Sequence, residues 1–287
     1  VLAQFLLLLT PWALAERSAG REGRPYGLAV GGVVFLVLHF AFAFTFTYPY
    51  TIPAFRGMGL PLVLLGVLLA AHPSLRRPRA RGLEPVAWRP LSLVPLGLVL
   101  LLTLAFAWPR PMAERTSGPL RVGTYNIHYG YDTDWHLRLE EQARAIEASG
   151  ADVVVLQEVD ACRISSYGID DALWLARRLR MRAVYRPTLE NLSGIALLTR
   201  RPIVAADGAL LTSELEQTGI VHARLRVGER EVDAYGVWLG LEPEERARQL
   251  TDALAFIGDA SPALFGGDLN STPDSPIYAR LEAAGFT

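Results

Sequence analysis

Residues 264–270 read Leu-Phe-Gly-Gly-Asp-Leu-Asn, an apolar run that ends in two polar side chains. Side chains along a strand alternate between its two faces, so Asp268 and Asn270 are expected on the same face. The glycines at 266 and 267 leave room for a ligand or for a neighbouring backbone. Taken alone, this pattern is also typical of a strand that stops in an ordinary turn. The rest of the chain has to decide between the two interpretations.

Strand and helix patterns alternate through residues 121–287, the region that contains this stretch. Apolar, β-rich runs predict strands at 120–126, 151–157, 194–199, 220–227, 231–238 and 263–267. Helical periodicity predicts helices at 137–148 and 170–180 and after Pro243 and Pro276. The runs at 220–227 and 231–238 flank a short turn and form a hairpin. Because hairpins occur beside strand–helix–strand units, we expect mixed sheets.

Polar side chains of one kind stand at the ends of the predicted strands: Asn126, Glu158, Asp268 and Asn270. Functional sites in α/β folds assemble at strand ends. Carboxylate and amide oxygens suit a hard cation such as Mg²⁺, and the chain has no Cys/His cluster with zinc spacing. The pattern therefore predicts an oxygen-rich metal pocket.

Four motifs occur in a fixed order, namely Thr-Tyr-Asn-Ile at 124–127, Leu-Gln-Glu-Val at 156–159, Gly-Ile-Ala-Leu-Leu-Thr at 194–199 and Gly-Asp-Leu-Asn at 267–270. Together they resemble the endonuclease/exonuclease/phosphatase superfamily. The resemblance covers residues 121–287 and implies two packed mixed β-sheets flanked by helices, a four-layer α/β sandwich.

The resemblance also implies roles for individual residues. Glu158 matches the glutamate that binds Mg²⁺ (or Mn²⁺), and Asn126 matches the asparagine beside the metal and the phosphate. Asp268 matches the aspartate that positions or deprotonates the attacking water, and Asn270 matches the residue that hydrogen-bonds the phosphate. Arg163 is a further candidate as a phosphate clamp, with a solvated or salt-bridged arginine as the equal alternative.

Several details resemble the branch found as the C-terminal domain of membrane proteins that remodel GPI-anchor lipids. They are Cys-Arg-Ile-Ser at 162–165, Glu-Gln-Thr at 216–218 and Thr-Pro-Asp-Ser at 272–275. This branch implies a membrane lipid or a phosphorylated head group as the substrate.

The chain departs from the family pattern in two places. Trp238 stands where the family carries a histidine, and it can offer a substrate only an N–H donor. His128 or His222 could compensate, or each is structural. The family's final strand, with its Asp-His pair, would follow Thr287, so we expect the domain to be C-terminally incomplete and the fragment itself to be inactive.

Four apolar runs fill the first part of the chain, at 1–15, 26–48, 57–72 and 91–108. Runs of this length and composition predict a multispan α-helical membrane region of about four helices over residues 1–108, with the first one truncated or a signal-peptide core. His39 lies inside the second run, either as an intramembrane functional residue or as a neutral, hydrogen-bonded one.

The loops between the runs predict the orientation. Loops 16–25 and 73–90 carry three and five arginines, whereas loop 49–56 carries one. The arginine-rich loops are expected in the cytoplasm, which places the domain after the fourth run on the extracytoplasmic face of the cell membrane. A linker at 109–120 can extend at most ~40 Å, so it holds the domain close to the bilayer.

The charge differs between the two parts of the chain. Residues 1–120 hold 11 Arg and four acidic residues, a net of +7, and residues 121–287 hold 17 Arg and 25 acidic residues, a net of −8. An acidic domain lacks the basic footprint of phosphate-backbone binding, so nucleic acid is the less expected partner. Three hypotheses remain: a membrane-tethered, metal-dependent phosphodiesterase, a nuclease of the same superfamily, and a catalytically impaired partner in lipid remodelling.

Overall fold

The computed structural model describes residues 25–44, 53–55, 58–75, 97–98, 101–102, 104–105, 112, 114–163, 165–189 and 192–287. The chain divides into two compact units. The first comprises residues 1–40 and 61–111, and the second comprises residues 41–60 and 112–287.

Two helices account for most of the described residues before position 112, α1 (Pro25–Phe44) and α2 (Gly59–Leu75). Within the described stretches, no helix combines the length and the hydropathy that a membrane crossing requires. The predicted multispan region is therefore without structural support. The run at 1–15 and most of the run at 91–108 lie outside the described residues. His39 stacks on Phe35, with 5.8 Å between the ring centroids.

Residues 112–287 contain two four-stranded sheets. Helices α3 to α5 connect strands of these sheets, and α6 follows the last strand. The elements are β1 (Val122–Asn126), α3 (Leu139–Ser149), β2 (Val153–Asp160), α4 (Asp171–Leu179), β3 (Arg182–Leu189), β4 (Ser193–Thr199), β5 (Ile203–Leu210), β6 (Gly219–Val227), β7 (Arg230–Trp238), α5 (Pro243–Ile257), β8 (Ala263–Asp268) and α6 (Pro276–Ala283). The strand orders are β1-β2-β4-β3 and β5-β6-β7-β8.

Each sheet is mixed, as predicted, because each contains one parallel pair at an edge. Strand β1 pairs in parallel with β2, and β7 pairs in parallel with β8. Helices α3 and α5 make the two crossovers that these parallel pairs require. Their ends carry the expected signals: Gly150 caps α3 in the left-handed conformation, and Pro243 occupies the first turn of α5.

The buried apolar side chains form three layers. One cluster lies between the two sheets and includes Val155, Ile195, Leu197, Val221 and Trp238. The second packs α3 and α4 on the first sheet, and the third packs α5 and α6 on the second sheet. The predicted four-layer α/β sandwich is confirmed.

Two glycines allow close approaches that any side chain would block. A Cβ atom on Gly236 would lie 2.3 Å from Val155 Cγ1, where the two sheets face each other. A Cβ atom on Gly267 would lie 2.0 Å from the Val237 carbonyl oxygen of the neighbouring strand. Gly267 therefore lets β8 pair tightly with β7 and fixes the backbone directly before Asp268.

Two strands lack a sequence prediction, β3 and β5, and both lie at sheet edges. Strand β3 contains Arg182, Arg186 and Pro187, residues that weaken a strand pattern but that an edge tolerates. Strand β5 exposes several of its residues and so lacks the continuous apolar run of a central strand.

Candidate active site

Three predicted site residues meet where the two sheets come together. The amide nitrogen Nδ2 of Asn126, at the end of β1, donates to Glu158 Oε1 at 2.8 Å and to Asp268 Oδ2 at 2.9 Å. Asn126 and Glu158 belong to the first sheet, whereas Asp268 belongs to the second. One amide group thus links carboxylates from both sheets.

The orientation of the Asn126 amide follows from its third hydrogen bond. Its Oδ1 accepts from the backbone N–H of His128 at 2.9 Å. Because this N–H needs an acceptor, the oxygen points toward His128 and the nitrogen points toward the carboxylates. The amide oxygen is therefore turned away from the carboxylates. The role of Asn126 beside the metal and the phosphate stays a prediction, and its side chain links Glu158 to Asp268.

Glu158 occupies an irregular position in its strand. The register between β2 and β4 shifts between Leu156 and Val159, and Glu158 has a φ of 53°. Left-handed backbone is costly for a residue with a side chain and is found where a site requires it. Burial raises the pKa of Glu158 above its usual value, although the Asn126 hydrogen bond opposes the shift.

Asp268 and Asn270 are connected through the backbone at the end of β8. The Asn270 N–H donates to Asp268 Oδ1 at 2.9 Å, and Asn270 Nδ2 donates to the Leu239 carbonyl at 2.7 Å. The Arg246 guanidinium donates to the Asn270 carbonyl. Because an amide nitrogen carries two hydrogens, the bond to Leu239 leaves one for a substrate oxygen.

The donor set fits a hard divalent cation. In the part of the chain that the structure describes, no group of three His, Cys, Asp or Glu side chains is placed to hold a metal ion. Glu158 and Asp268 are instead two carboxylates that share one amide. Carboxylate oxygens suit Mg²⁺ or Mn²⁺, and Mg²⁺ keeps several water ligands and needs few protein ligands. A cation would also offset the burial that raises the pKa of Glu158.

Glu216 is a further acidic residue of this region, and the sequence analysis did not assign it a role. Tyr129 Oη donates to Glu216 Oε1 at 3.5 Å. Burial and the nearby charge of Glu158 raise the pKa of Glu216 to about 7. In the sequence, the Glu-Gln-Thr motif at 216–218 indicates only a resemblance to the GPI-remodelling branch. A single glutamate before a strand does not by itself indicate a catalytic or metal-binding role.

Arg163 forms a salt bridge in the structure, and its role as a phosphate clamp stays a prediction. Its Nη1 donates to Asp160 Oδ1 at 3.2 Å, and its guanidinium lies 5.3 Å from the centroid of the Tyr129 ring. The Arg163 side chain is 11% exposed, and the Asp160 side chain is fully buried.

Trp238 is buried between the sheets, with 3% of the residue exposed. The ring fills the core beside Asp268, its partner in the strand register. This placement favours packing over the predicted contact with substrate.

The two candidate histidines lie in different environments. His222 is on β6, and both ring nitrogens lie 2.7 Å from carboxylates, those of Asp207 and Asp233. It is therefore held in a structural network. His128 adjoins the site, since it contacts Asn126 through its backbone and its charge would lower the pKa of Glu158.

Two β-sheets packed face to face, with helices on both outer faces and a carboxylate–amide cluster at the strand ends, make up a phosphatase-like α/β-sandwich fold. The chain belongs to the Endonuclease/Exonuclease/phosphatase family, which it matches over residues 123–287. Members of this family are phosphoesterase hydrolases that generally use divalent metal ions.

Similar solved structures come from several organisms. An endonuclease/exonuclease/phosphatase from Beutenbergia cavernae is 23% identical, with 57% of this chain and 53% of that chain covered and a TM-score of 0.46. A family protein from Leptotrichia buccalis is 18% identical, with 58% and 75% covered and a TM-score of 0.47. The human Nocturnin catalytic domain with bound sulfate is 19% identical, with 58% and 69% covered and a TM-score of 0.45. The chain spans about half the length of the first of these structures.

Proposed function

We propose that this chain is part of a membrane-tethered, metal-dependent phosphodiesterase that hydrolyses a lipid or glycolipid head group. The observation that carries the proposal is the Asn126 amide, which joins Glu158 and Asp268 across the two sheets at 2.8 and 2.9 Å. In this arrangement the carboxylate of Glu158, which would bind a cation, lies next to the carboxylate of Asp268, which would bind the attacking water.

The residues divide the reaction between them. Glu158 would hold Mg²⁺ or Mn²⁺, which when bound offsets negative charge on the phosphoryl group. Asp268 orients a water and accepts its proton as the water oxygen bonds to phosphorus and the ester P–O bond breaks. Asn126 keeps the two carboxylates in position, and Asn270 donates its remaining amide hydrogen to a phosphoryl oxygen. The departing ester oxygen takes its proton from solvent.

A lipid substrate is supported by the first part of the sequence. Uncharged apolar runs at 26–48 and 57–72 precede the domain, and the loop arginines favour an extracytoplasmic location for it. Large apolar side chains of α1 are exposed, among them Phe35 at 65% and Leu36 at 64%. We further propose the GPI-remodelling branch, on the motifs at 162–165, 216–218 and 272–275.

The test measures release of phosphorylated head groups by the full-length protein from phosphatidylinositol liposomes, with and without Mg²⁺. We expect release that requires Mg²⁺ or Mn²⁺ and that Glu158→Gln abolishes. Glu141→Gln, on the exposed face of α3, is the matched control and retains activity.

Two outcomes would replace the proposal. Faster cleavage of plasmid DNA than of lipid would identify a nuclease, against the net charge of −8 over residues 121–287. Absence of turnover on either substrate, with no rise in Tm on adding Mg²⁺ or Mn²⁺, would identify a catalytically impaired partner protein. The second outcome has a structural reason in the sequence, because Trp238 stands at the position of the family histidine and can offer only an N–H donor.

A further inference from the structure

Among the described residues of the second unit, two of the most exposed aromatic side chains belong to residues with left-handed backbone. Trp135 is 66% exposed with a φ of 60°, and Tyr167 is 76% exposed with a φ of 57°. Exposure of a large aromatic ring and left-handed backbone in a residue with a side chain are both unfavourable. Their combination at two positions points to rings that are held outward for use.

The loop that carries Trp135 is fixed by internal hydrogen bonds. Asp132 Oδ1 accepts from the Asp134 N–H at 3.0 Å and from the His136 N–H at 2.8 Å, and Asp132 Oδ2 accepts from Arg138 at 3.2 Å. Tyr131 and Leu137 form a β-bridge that closes the loop. The indole is therefore presented on a rigid support, which lowers the entropy cost of binding.

The loop that carries Tyr167 joins the first loop. Tyr131 Oη donates to the Ser165 carbonyl. The Tyr167 loop is itself closed, because the Gly168 N–H donates to the Arg163 carbonyl at 2.7 Å. The rings of Tyr131 and Trp135 lie 6.0 Å apart. We define Tyr131, Trp135 and Tyr167 as the aromatic platform.

His128 connects the aromatic platform to the active site. Its ring centroid lies 4.7 Å from that of Trp135, and its backbone N–H donates to the side chain of Asn126. Asn126 in turn holds Glu158 and Asp268. A substrate with its phosphorus beside these carboxylates would extend its next ring across His128 toward Trp135.

We propose that the aromatic platform binds a polyhydroxylated ring, a hexose or an inositol, that is attached to the scissile phosphate. Such a ring has an apolar C–H face that stacks on an indole or phenol and a rim of hydroxyl groups that needs polar partners. Asp134 is exposed beside Trp135 and the Asp132 side chain is 31% exposed, so carboxylates are present to accept hydroxyl hydrogens.

The charge around the platform favours a neutral ring over a membrane surface. Hydrogen bonds from His136, Arg138 and Asp134 lower the pKa of Asp132, so this carboxylate is ionised at neutral pH. The domain carries a net charge of −8. At the platform itself, these carboxylates disfavour contact with anionic phosphate groups, whereas they do not disfavour a neutral sugar or inositol.

The inference rests on the proposed function, and its first test is independent of catalysis. Neutral methyl α-mannoside and myo-inositol are titrated into the full-length protein, and binding is followed by tryptophan fluorescence and calorimetry. We expect saturable binding with Kd on the order of millimolar, weakened ~10-fold by Trp135→Ala and ~3-fold by Tyr167→Ala. Because Trp135→Phe keeps an aromatic plane, it retains most of the binding.

A kinetic measurement places the platform relative to the active site. For an inositol-containing phosphodiester, Trp135→Ala raises KM ~10-fold with kcat unchanged, whereas for a small dialkyl phosphodiester both constants stay as in the wild type. Leu210→Ala, at a side chain 50% exposed on β5, is the matched control and changes neither.

The outcomes separate the two proposals. Sugar binding that needs Trp135, in a protein without phosphodiesterase activity, supports the platform and contradicts the proposed function. Phosphodiesterase activity with no binding of either neutral ring, or equal binding by wild type and Trp135→Ala, overturns the platform. Loss of liposome binding in Trp135→Ala, with sugar binding intact, would assign the ring to a membrane surface and would also overturn it.

Discussion

Strands β1 and β2 have buried charge at both of their ends, and the two ends stabilise it in opposite ways. At the end where the strands begin, Asp152 and Arg201 are fully buried and form an ion pair at 3.3 Å. Arg201 also donates to four backbone carbonyls, those of residues 115, 117, 118 and 119. Burial alone would raise the pKa of Asp152, but the Arg121 N–H and the Arg201 charge outweigh it and lower this pKa.

At the end where the strands stop, the acidic groups lack equivalent compensation. Burial raises the pKa of Glu158, of Asp171 (to about 8) and of Glu216 (to about 7). Left-handed residues with side chains also gather here, namely His128, Tyr129, Glu158, Cys162 and Asn270. Buried acidic groups are therefore paired with arginine at one end of β1 and β2, and their pKa values are raised at the other end.

The difference separates a structural role from a functional one. A buried carboxylate with an arginine partner fixes the backbone and has nothing left to offer a ligand. A buried carboxylate without one is costly for the folded state, and it becomes favourable when a cation binds. The following variants test whether the two ends divide stability and activity in this way.

The largest effect is expected for Glu158→Gln, at the end of β2 where charge is uncompensated. We expect kcat/KM to fall at least ~10³-fold, about 4 kcal/mol of transition-state stabilisation, because the side chain loses its charge toward the cation. The Tm without metal should stay the same or rise, since a partly buried carboxylate with a raised pKa is removed. The measurement is Mg²⁺-dependent hydrolysis by the full-length protein, and more than a tenth of wild-type activity would contradict the assignment.

Arg201→Met tests the opposite end. We expect a loss of about 3–5 kcal/mol in the free energy of unfolding, because Asp152 loses its buried arginine partner and keeps the more exposed Arg115. Hydrolysis per folded molecule should not change. Urea denaturation measures the loss, and the double variant Arg201→Met/Asp152→Asn should recover part of it. A double variant no more stable than the single one would show that the carbonyl contacts matter more than the charge.

Asp171→Asn tests the cost of uncompensated charge. Asp171 Oδ2 accepts from the Asp160 N–H at 3.2 Å, while its Oδ1 is buried without a hydrogen bond. Since the folded-state pKa is raised to about 8, the stability from this group is present below pH ~4 and is lost as pH rises through about 8. The variant keeps an acceptor for Asp160, so we expect it to gain ~2 kcal/mol at pH 8 and little at pH 4. Denaturation at both pH values measures this, and a gain independent of pH would contradict it.

Much of the fold could be predicted because its central strands carry a simple signal. Strand β2 is apolar from Val153 to Leu156, and glycine or proline marks the ends of α3 and α5. Edge strands β3 and β5 lack that signal, because one edge of each is unpaired and their side chains are partly exposed. Local sequence patterns do not indicate that two sheets pack against each other. Only the family resemblance predicted this packing.

The sequence predicted the site residues that lie at strand ends. It did not predict the orientation of side chains or the contacts made by residues in loops. Asn126, Glu158 and Asp268 converge because each lies at or near the end of a strand of a parallel pair. The direction of the Asn126 amide depends on a backbone N–H in a left-handed turn, which no spacing rule indicates. Glu216 and Tyr129 meet only in the tertiary structure, 87 residues apart in sequence.

The smallest effect is expected for Glu216→Gln. The pKa of Glu216 is about 7, so its charge changes near neutral pH, whereas Glu158 is the proposed ligand of the cation. Ionised Glu216 adds negative charge beside Glu158, so Mg²⁺ should bind the wild type more tightly above pH 7 than below it. We expect the variant to bind Mg²⁺ about fivefold more weakly at pH 8, ~1 kcal/mol of Coulomb energy in partly solvated surroundings, and equally well at pH 6. The Mg²⁺ dependence of Tm at both pH values measures this difference. Glu214→Gln, at an exposed neighbouring position, is the control, and an equal effect of both variants would mean that Glu216 acts only through the net charge of its loop.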